Sequence, residues 1–302
     1  MTLSVHTKGL LITFVAVLIL SPDALLVRLI HCDIWTLLFW RCLLTAIVMS
    51  LFLLVRYRSR FFYSFYATGR TGLLLALAIT FGSLLFIHSL KQTTAANALI
   101  ILAAAPIVSS LLSWIFLREA VPLRTKMAIF ACFGGILLIF SNSLENGLLL
   151  GDLMALGATL MWGANVVILR SGKEVNMIPA NVLGNLSVAL VVLLLGAQPL
   201  AVTTEEASLL LLLGGVVLPI SFALITLSPR YLRAPEVSLI LLLETVLGPI
   251  WVWLVLGEMP HSRTLIAGFL ILGTLLLHTS FSLRKTKPLT APQVNCEEKE
   301  LR

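Results

Sequence analysis

The stretch Ala95–Ser141, AANALIILAAAPIVSSLLSWIFLREAVPLRTKMAIFACFGGILLIFS, returns 139 residues later as Ala234–Ser280, APEVSLILLLETVLGPIWVWLVLGEMPHSRTLIAGFLILGTLLLHTS. Aligned without a gap, the two agree at 14 of 47 positions. Trp114 pairs with Trp253, Glu119 with Glu258, Arg124 with Arg263, Thr125 with Thr264 and Gly134 with Gly273. An apolar composition alone matches Leu with Leu; it does not bring Trp, Glu, Arg and Gly into register. The stretch is an internal duplication, and a duplicated helical membrane domain is the sequence mark of a transporter.

The membrane itself follows from composition. Of the 302 residues 59% are hydrophobic and 12% charged, with a mean hydropathy of +1.04. Soluble domains carry about 25% charged residues, so only a bilayer can solvate this surface. Apolar runs of about 20 residues, each enough for a ~30 Å hydrocarbon core, fall near 9–29, 34–55, 71–90, 95–117, 124–141, 150–169, 177–197, 207–228, 234–256 and 264–282. Lys8 ahead of the first run has the look of a signal peptide, but the run is long, lacks a cleavage site and is read as a retained helix.

The net charge of +7 is explained by topology and needs no nucleic-acid partner. With the amino terminus in the cytoplasm, 17 Lys and Arg fall inside and only Arg28, Lys91 and Arg263 outside, while Arg41 lies within the second span. This positive-inside bias predicts ten spans with both ends cytoplasmic. Five spans precede the loop Asn142–Asp152 and five follow. An odd number per half inserts the halves in opposite orientations, which makes an inverted repeat. The expected organisation is an all-α integral membrane protein. It has a first half over 1–144, an inverted second half over 145–282 and a disordered cytoplasmic tail over 283–302. The default location is a bacterial inner (plasma) membrane.

Ionisable groups inside spans are expensive, roughly 2.5–3.5 kcal/mol each on insertion scales, and they face a cavity or a partner. Asp23, Arg41 and Glu244 are the three that stand out. Pro22 has no N–H for the carbonyl of Leu18, so Ser21-Pro22-Asp23 predicts a break in span one. Asp23 is read as a cavity or coupling group, with an ion pair to Arg41 as the alternative. Arg41 is read as a helix lock, and Glu244, matched by Ala105 in the first copy, as cavity-facing. Counting back from Arg28 and Arg170 sets Gly163-Ala164-Asn165 of span six opposite the break, so Asn165 and Trp162 join Asp23 and Glu244 as candidate substrate-binding residues. His88 is a helix-end histidine before it is a proton relay. Glu119 and Glu258 sit in short hairpins ahead of a helix, where a carboxylate complements the positive helix end. The aromatic and basic connection Arg56–Arg70 reads as an interfacial anchor. Pro106 and Gly248-Pro249 are expected to bend spans four and nine.

Several absences narrow the field. The four cysteines (Cys32, Cys42, Cys132, Cys296) have no paired spacing, so no disulfide framework, metal site or cofactor is expected. No G-x-x-x-x-G-K-[ST] loop supplies an ATP engine, and no nucleophile motif announces an enzyme.

The run Ser89-Leu-Lys-Gln-Thr-Thr-Ala-Ala-Asn-Ala through Pro106 to Leu117-Arg-Glu119, with Gly134-Gly135 beyond, resembles an EamA domain of the drug/metabolite transporter superfamily. The run Arg233-Ala-Pro-Glu-Val-Ser through Leu256-Gly-Glu258 to Gly273 resembles a second one. Trp162-Gly163-Ala164-Asn165 is similar to the WG-x-N that opens a half, and Trp40-Arg41 to the Arg-bearing second span. The similarity covers residues 8–282, with Leu20-Ser21-Pro22-Asp23 standing where WG-x-N is usual. It implies ten helices in two inverted halves around a central cavity, and secondary transport of a small organic solute, often outward. Protons are the coupling ion that Asp23 or Glu244 would serve. A competing reading from another class is an intramembrane enzyme or flippase acting on a lipid-linked substrate.

Overall fold

The computed structural model describes residues 5–58, 61–117, 123–171, 177–228 and 234–285, and these form helices with no strand among them. Seven helical stretches are long and apolar enough to cross a membrane, and Ile178–Leu194, Ile240–Leu256 and Ser262–Leu277 are shorter apolar helices. Large apolar side chains such as Phe14, Phe130 and Phe269 point outward all round the bundle. An apolar exterior of this kind belongs in lipid.

Span one is two helices, α1 (Val5–Leu20) and α2 (Asp23–Leu29), parted at Ser21-Pro22. The chemistry of the break is local. Pro22 leaves the carbonyl of Leu18 without its usual amide, and the Ser21 hydroxyl donates to that carbonyl at 2.9 Å instead. Helix α3 (Ile34–Tyr57) is capped by the Asp33 carboxylate. The short α4 (Phe61–Tyr66) carries the aromatic connection into α5 (Gly69–Gln92). Span four is also interrupted, as α6 (Ala95–Leu102) and α7 (Ala105–Leu117), just ahead of Pro106.

The α8 helix (Leu123–Asn146) runs almost directly into α9 (Leu149–Ser171). Gly147 adopts φ +71°, the left-handed turn that glycine takes without a Cβ penalty, and Leu148 N–H donates to the Ser143 carbonyl. The expected connection Asn142–Asp152 is therefore two residues long, and Asp152 belongs to α9. Helix α10 (Ile178–Leu194) follows, then α11 (Thr204–Leu212) behind a Thr203/Glu206 capping box. A π-helical turn, Leu213–Val217, joins α11 to α12 (Leu218–Leu227). The last two helices are α13 (Ala234–Leu256) and α14 (Ser262–Lys285), so residues 283–285 extend a helix. The rest of the tail and Glu119 lie outside the described residues.

The copies are not perfect structural echoes. Span four breaks before Pro106, whereas α13 continues through Pro249. Span one breaks at Ser21-Pro22, whereas α9 runs unbroken through Gly163-Ala164-Asn165. Gly163 packs tightly: a Cβ there would come within 2.7 Å of Val108 on α7.

One end of the bundle is tied across the two halves by polar groups. Glu258, after α13, accepts from the Ala95 N–H at the start of α6 (3.0 Å) and from Arg28 Nη2 of α2 (3.3 Å). It does serve a helix N-terminus, but that of α6 and not of the helix that follows it in sequence. Arg28 also donates to the Thr93 carbonyl. Beside it, Asp152 is fully buried and accepts from Thr93 Oγ1, Ser143 Oγ and Asn97 Nδ2. Asn97 Oδ1 in turn accepts from Thr264 Oγ1 of α14 at 2.7 Å. Gly151 makes this possible. A Cβ there would meet the Gln92 carbonyl carbon at 2.6 Å and the Thr93 nitrogen at 2.7 Å, so only glycine lets α9 approach the end of α5. The Arg263–Glu145 pair at 2.9 Å is well exposed and adds little.

Removing the Glu258 acceptor leaves the partly exposed Arg28 guanidinium and the Ala95 amide to water, a loss of roughly 0.5–1.5 kcal/mol for each bond. E258A is expected to lower the thermal midpoint in detergent clearly, and E258Q, which keeps one acceptor oxygen, by less. Equal midpoints for wild type and E258A in a thermal-unfolding series would contradict this account of the clamp.

Candidate functional site

The break in span one places Asp23 on the first turn of α2, facing Arg41 of α3. Both are buried, and Arg41 Nη2 donates to the two carboxylate oxygens at 3.0 and 2.9 Å. The irregular backbone and the ion pair are thus one feature. Proline opens the helix, and the first residue beyond it carries the charge.

Neighbouring elements hold Arg41 closely. The Thr45 hydroxyl lies 2.7 Å from the Arg41 carbonyl and 3.1 Å from that of Gly214, in the π turn of span eight. A Cβ on Gly214 would stand 2.9 Å from the Arg41 carbonyl oxygen. The extra residue of a π turn frequently marks a functional position in a helix. Arg41 Nε is buried and has no hydrogen-bond partner among the described residues.

Helix α13 closes the other side. Trp251 Nε1 donates to Ser21 Oγ at 2.9 Å, which stitches span nine to the break. Gly248 lies against Leu99 and near the Ser21 carbonyl. Glu244, half-buried on the same helix, lies within range of the Asp23 and Arg41 charges. Asp23 and Arg41 cancel one another, so Glu244 is a third ionisable group with no ion pair among the described residues. A carboxylate in that position takes up a proton or a positively charged group.

Of the residues singled out in the sequence, the structure brings together Asp23, Arg41 and Glu244. It does not bring the others to them. Trp162 packs on α5, its ring 6.0 Å from Phe86 and against Gly82. Asn165 is half-buried on α9 with no hydrogen bond among the described residues. His88 Nδ1 pairs with the Leu84 carbonyl at 2.8 Å and its ring tilts on Trp35, which is a helix-end arrangement. Ser21 belongs to the expected break, whereas Thr45, Gly214 and Trp251 join the site with no sequence signal beyond the Gly214-Gly215 pair at the π turn. Cys32, Cys42 and Cys132 are free thiols. Burial above all pushes the Cys32 thiol up to about 11, so it is protonated at neutral pH.

A helical bundle with an apolar exterior, broken spans and buried charges at a break defines a multi-pass membrane protein. The EamA-like transporter family model matches residues 7–141 and again residues 149–280, and the chain belongs to that family, within the drug/metabolite transporter superfamily. One similar solved structure is described only as "Crystal structure of protein". It shares 17% identity with this chain over 93% of this chain and 100% of its own, with a TM-score of 0.65, a likeness of fold. No curated protein matches.

The Asp23–Arg41 pair makes a specific energetic prediction. Removing one partner leaves an uncompensated buried charge, a loss of roughly 3–5 kcal/mol, whereas replacing both with apolar residues is close to neutral. D23L and R41M are each expected to unfold readily in detergent, and D23L/R41M to recover most of the lost stability. A double variant as unstable as the two single losses added together would refute the pairing.

Proposed function

We propose that this chain is a secondary transporter that carries a small organic solute, an amino acid or other amine-bearing metabolite, by alternating access. Ten spans form two inverted five-helix halves in the inner (plasma) membrane, with both termini in the cytoplasm and net movement outward. The observation that carries the reading is the buried Asp23–Arg41 pair at the broken span one with Glu244 beside it. The pair is neutral as a unit, so the site's charge is set by whatever occupies Glu244. A cationic amine and a proton would then compete for that carboxylate, and export would run against proton entry.

Positive-inside counting assigns the Glu258–Arg28–Thr93 end to the outer face. The polar clamp there is the outer gate in its closed position. It joins residues of both halves through hydrogen bonds that can be exchanged for water, and its opening would expose the Asp23–Arg41–Glu244 centre to the outside. Trp162 and Asn165 remain candidate lining residues on α9.

Counterflow into proteoliposomes, screened over amino acids, amines and small metabolites, is the direct test. Saturable exchange of one solute is expected, with a rate that changes with pH in the wild type. In E244Q that pH dependence is expected to vanish, and transport of cationic solutes to fall by tenfold or more, the size of about 1.4 kcal/mol. If E244Q keeps the wild-type pH profile, Glu244 is not the coupling group. If folded protein exchanges nothing in the panel, the weight passes to a lipid-linked substrate.

A further inference from the structure

We propose that the cytoplasmic end of the seam between α3 and α10 binds one anionic phospholipid, with an acyl chain in the groove beneath α4 and the phosphate against Arg56, Arg58 and Arg70. The groove holds about 200 Å³ and is lined by Ile47, Ser50, Leu51 and Leu54 of α3, Phe61 of α4 and Leu186 of α10. Positions 47, 51 and 54 make one face of α3, spaced four and three, and the helix ends at Tyr57, three residues beyond Leu54. The groove therefore runs toward the end of α3 that carries Arg56 and Arg58.

Arg58 has φ +44°, in the left-handed region that side chains rarely occupy. Helix α3 ends at this turn, and Phe61 at the start of α4 stands in the wall of the groove. The outer side of α4 is aromatic and bare: Phe62 is 78% exposed and Tyr66 87%. Amphipathic rings in this setting belong at headgroup depth.

Arg56, Arg58 and Arg70 are exposed, and none makes an ion pair or side-chain hydrogen bond among the described residues. No Asp or Glu occurs anywhere from Ile34 to Arg118. An anionic headgroup at these arginines, with part of an acyl chain in the groove, is the partner whose chemistry fits both parts. α3 lies in the first half and α10 in the second, so a lipid here rests across the joint between them. Ala46 of α3 also lines the groove and packs with Val182 of α10 and Met49 and Leu53 of α3 in the core beside it.

Native mass spectrometry of the full chain, released from mixed phosphatidylglycerol and phosphatidylcholine of matched chains, tests the site without any transported solute. It therefore stands or falls apart from the transport reading. One phosphatidylglycerol is expected to be retained with an about tenfold preference, the effect of a few basic residues at an anionic surface. R56Q/R58Q/R70Q should lose the preference but still bind either lipid, and L54W, which fills the groove and keeps the charges, should lose the bound lipid. All three arginines are exposed, so the triple variant is expected to keep the wild-type thermal midpoint. Equal retention of the two lipids by wild type, an unchanged preference in the triple variant, or displacement of the lipid by millimolar inorganic phosphate would each overturn the proposal.

Discussion

Two opposite charges shut away from water, Asp23 and Arg41, impose most of the constraints seen in the middle of this bundle. Each alone would cost several kcal/mol in hydrocarbon, and one arginine nitrogen reaching both carboxylate oxygens removes most of that cost. The pairing demands that α2 begin at Asp23, which demands the break at Ser21-Pro22. The break in turn leaves Ser21 Oγ free to accept from Trp251, so span nine is recruited to the same point. Gly214 is required where the π turn of span eight meets the Arg41 carbonyl. Four elements thus converge on one ion pair, and Glu244 enters on span nine.

A second polar cluster lies at the end of the bundle that carries Thr93 and Glu258, and its character differs. The central pair is a charge couple that is costly to separate. The end cluster is a chain of hydrogen bonds running from Asp152 through Asn97 to Thr264, with Glu258 bridging Arg28 and the start of α6. Such bonds can be replaced by water at modest cost. In the proposed cycle the centre stays paired while the end opens and closes. Gly151 sets how tightly that end can shut, because it lets α9 touch the backbone of α5.

Much of the architecture was legible from the chain alone, and the reasons are physical. The duplication showed because Trp, Glu, Arg and Gly kept their register against an oily background. The break in span one showed because proline lacks an amide. Asp23, Arg41 and Glu244 showed because charges in an apolar run need a reason to be there. Partners between helices were much less legible. Glu258 was expected to serve the helix that follows it, yet its acceptor oxygen faces Ala95, 163 residues away in the chain. The connection Asn142–Asp152 reads as longer than it is because the turn at Gly147 takes only two residues, which sets Asp152 on α9. Trp162 and Asn165 were placed by counting along an inverted repeat, which assumes that both halves break alike, and α9 does not break.

The proposed cycle makes one demand that can be measured without ambiguity: the Glu258–Ala95 contact must separate in every turnover. Cysteines at these two positions, in a chain whose other cysteines have been replaced, would be joined by a short cleavable thiol cross-linker and assayed by counterflow. The account predicts that cross-linked protein exchanges no solute and that cleavage of the linker restores exchange. Full exchange with the cross-link quantitatively in place would show that this end does not open, and would contradict alternating access through it.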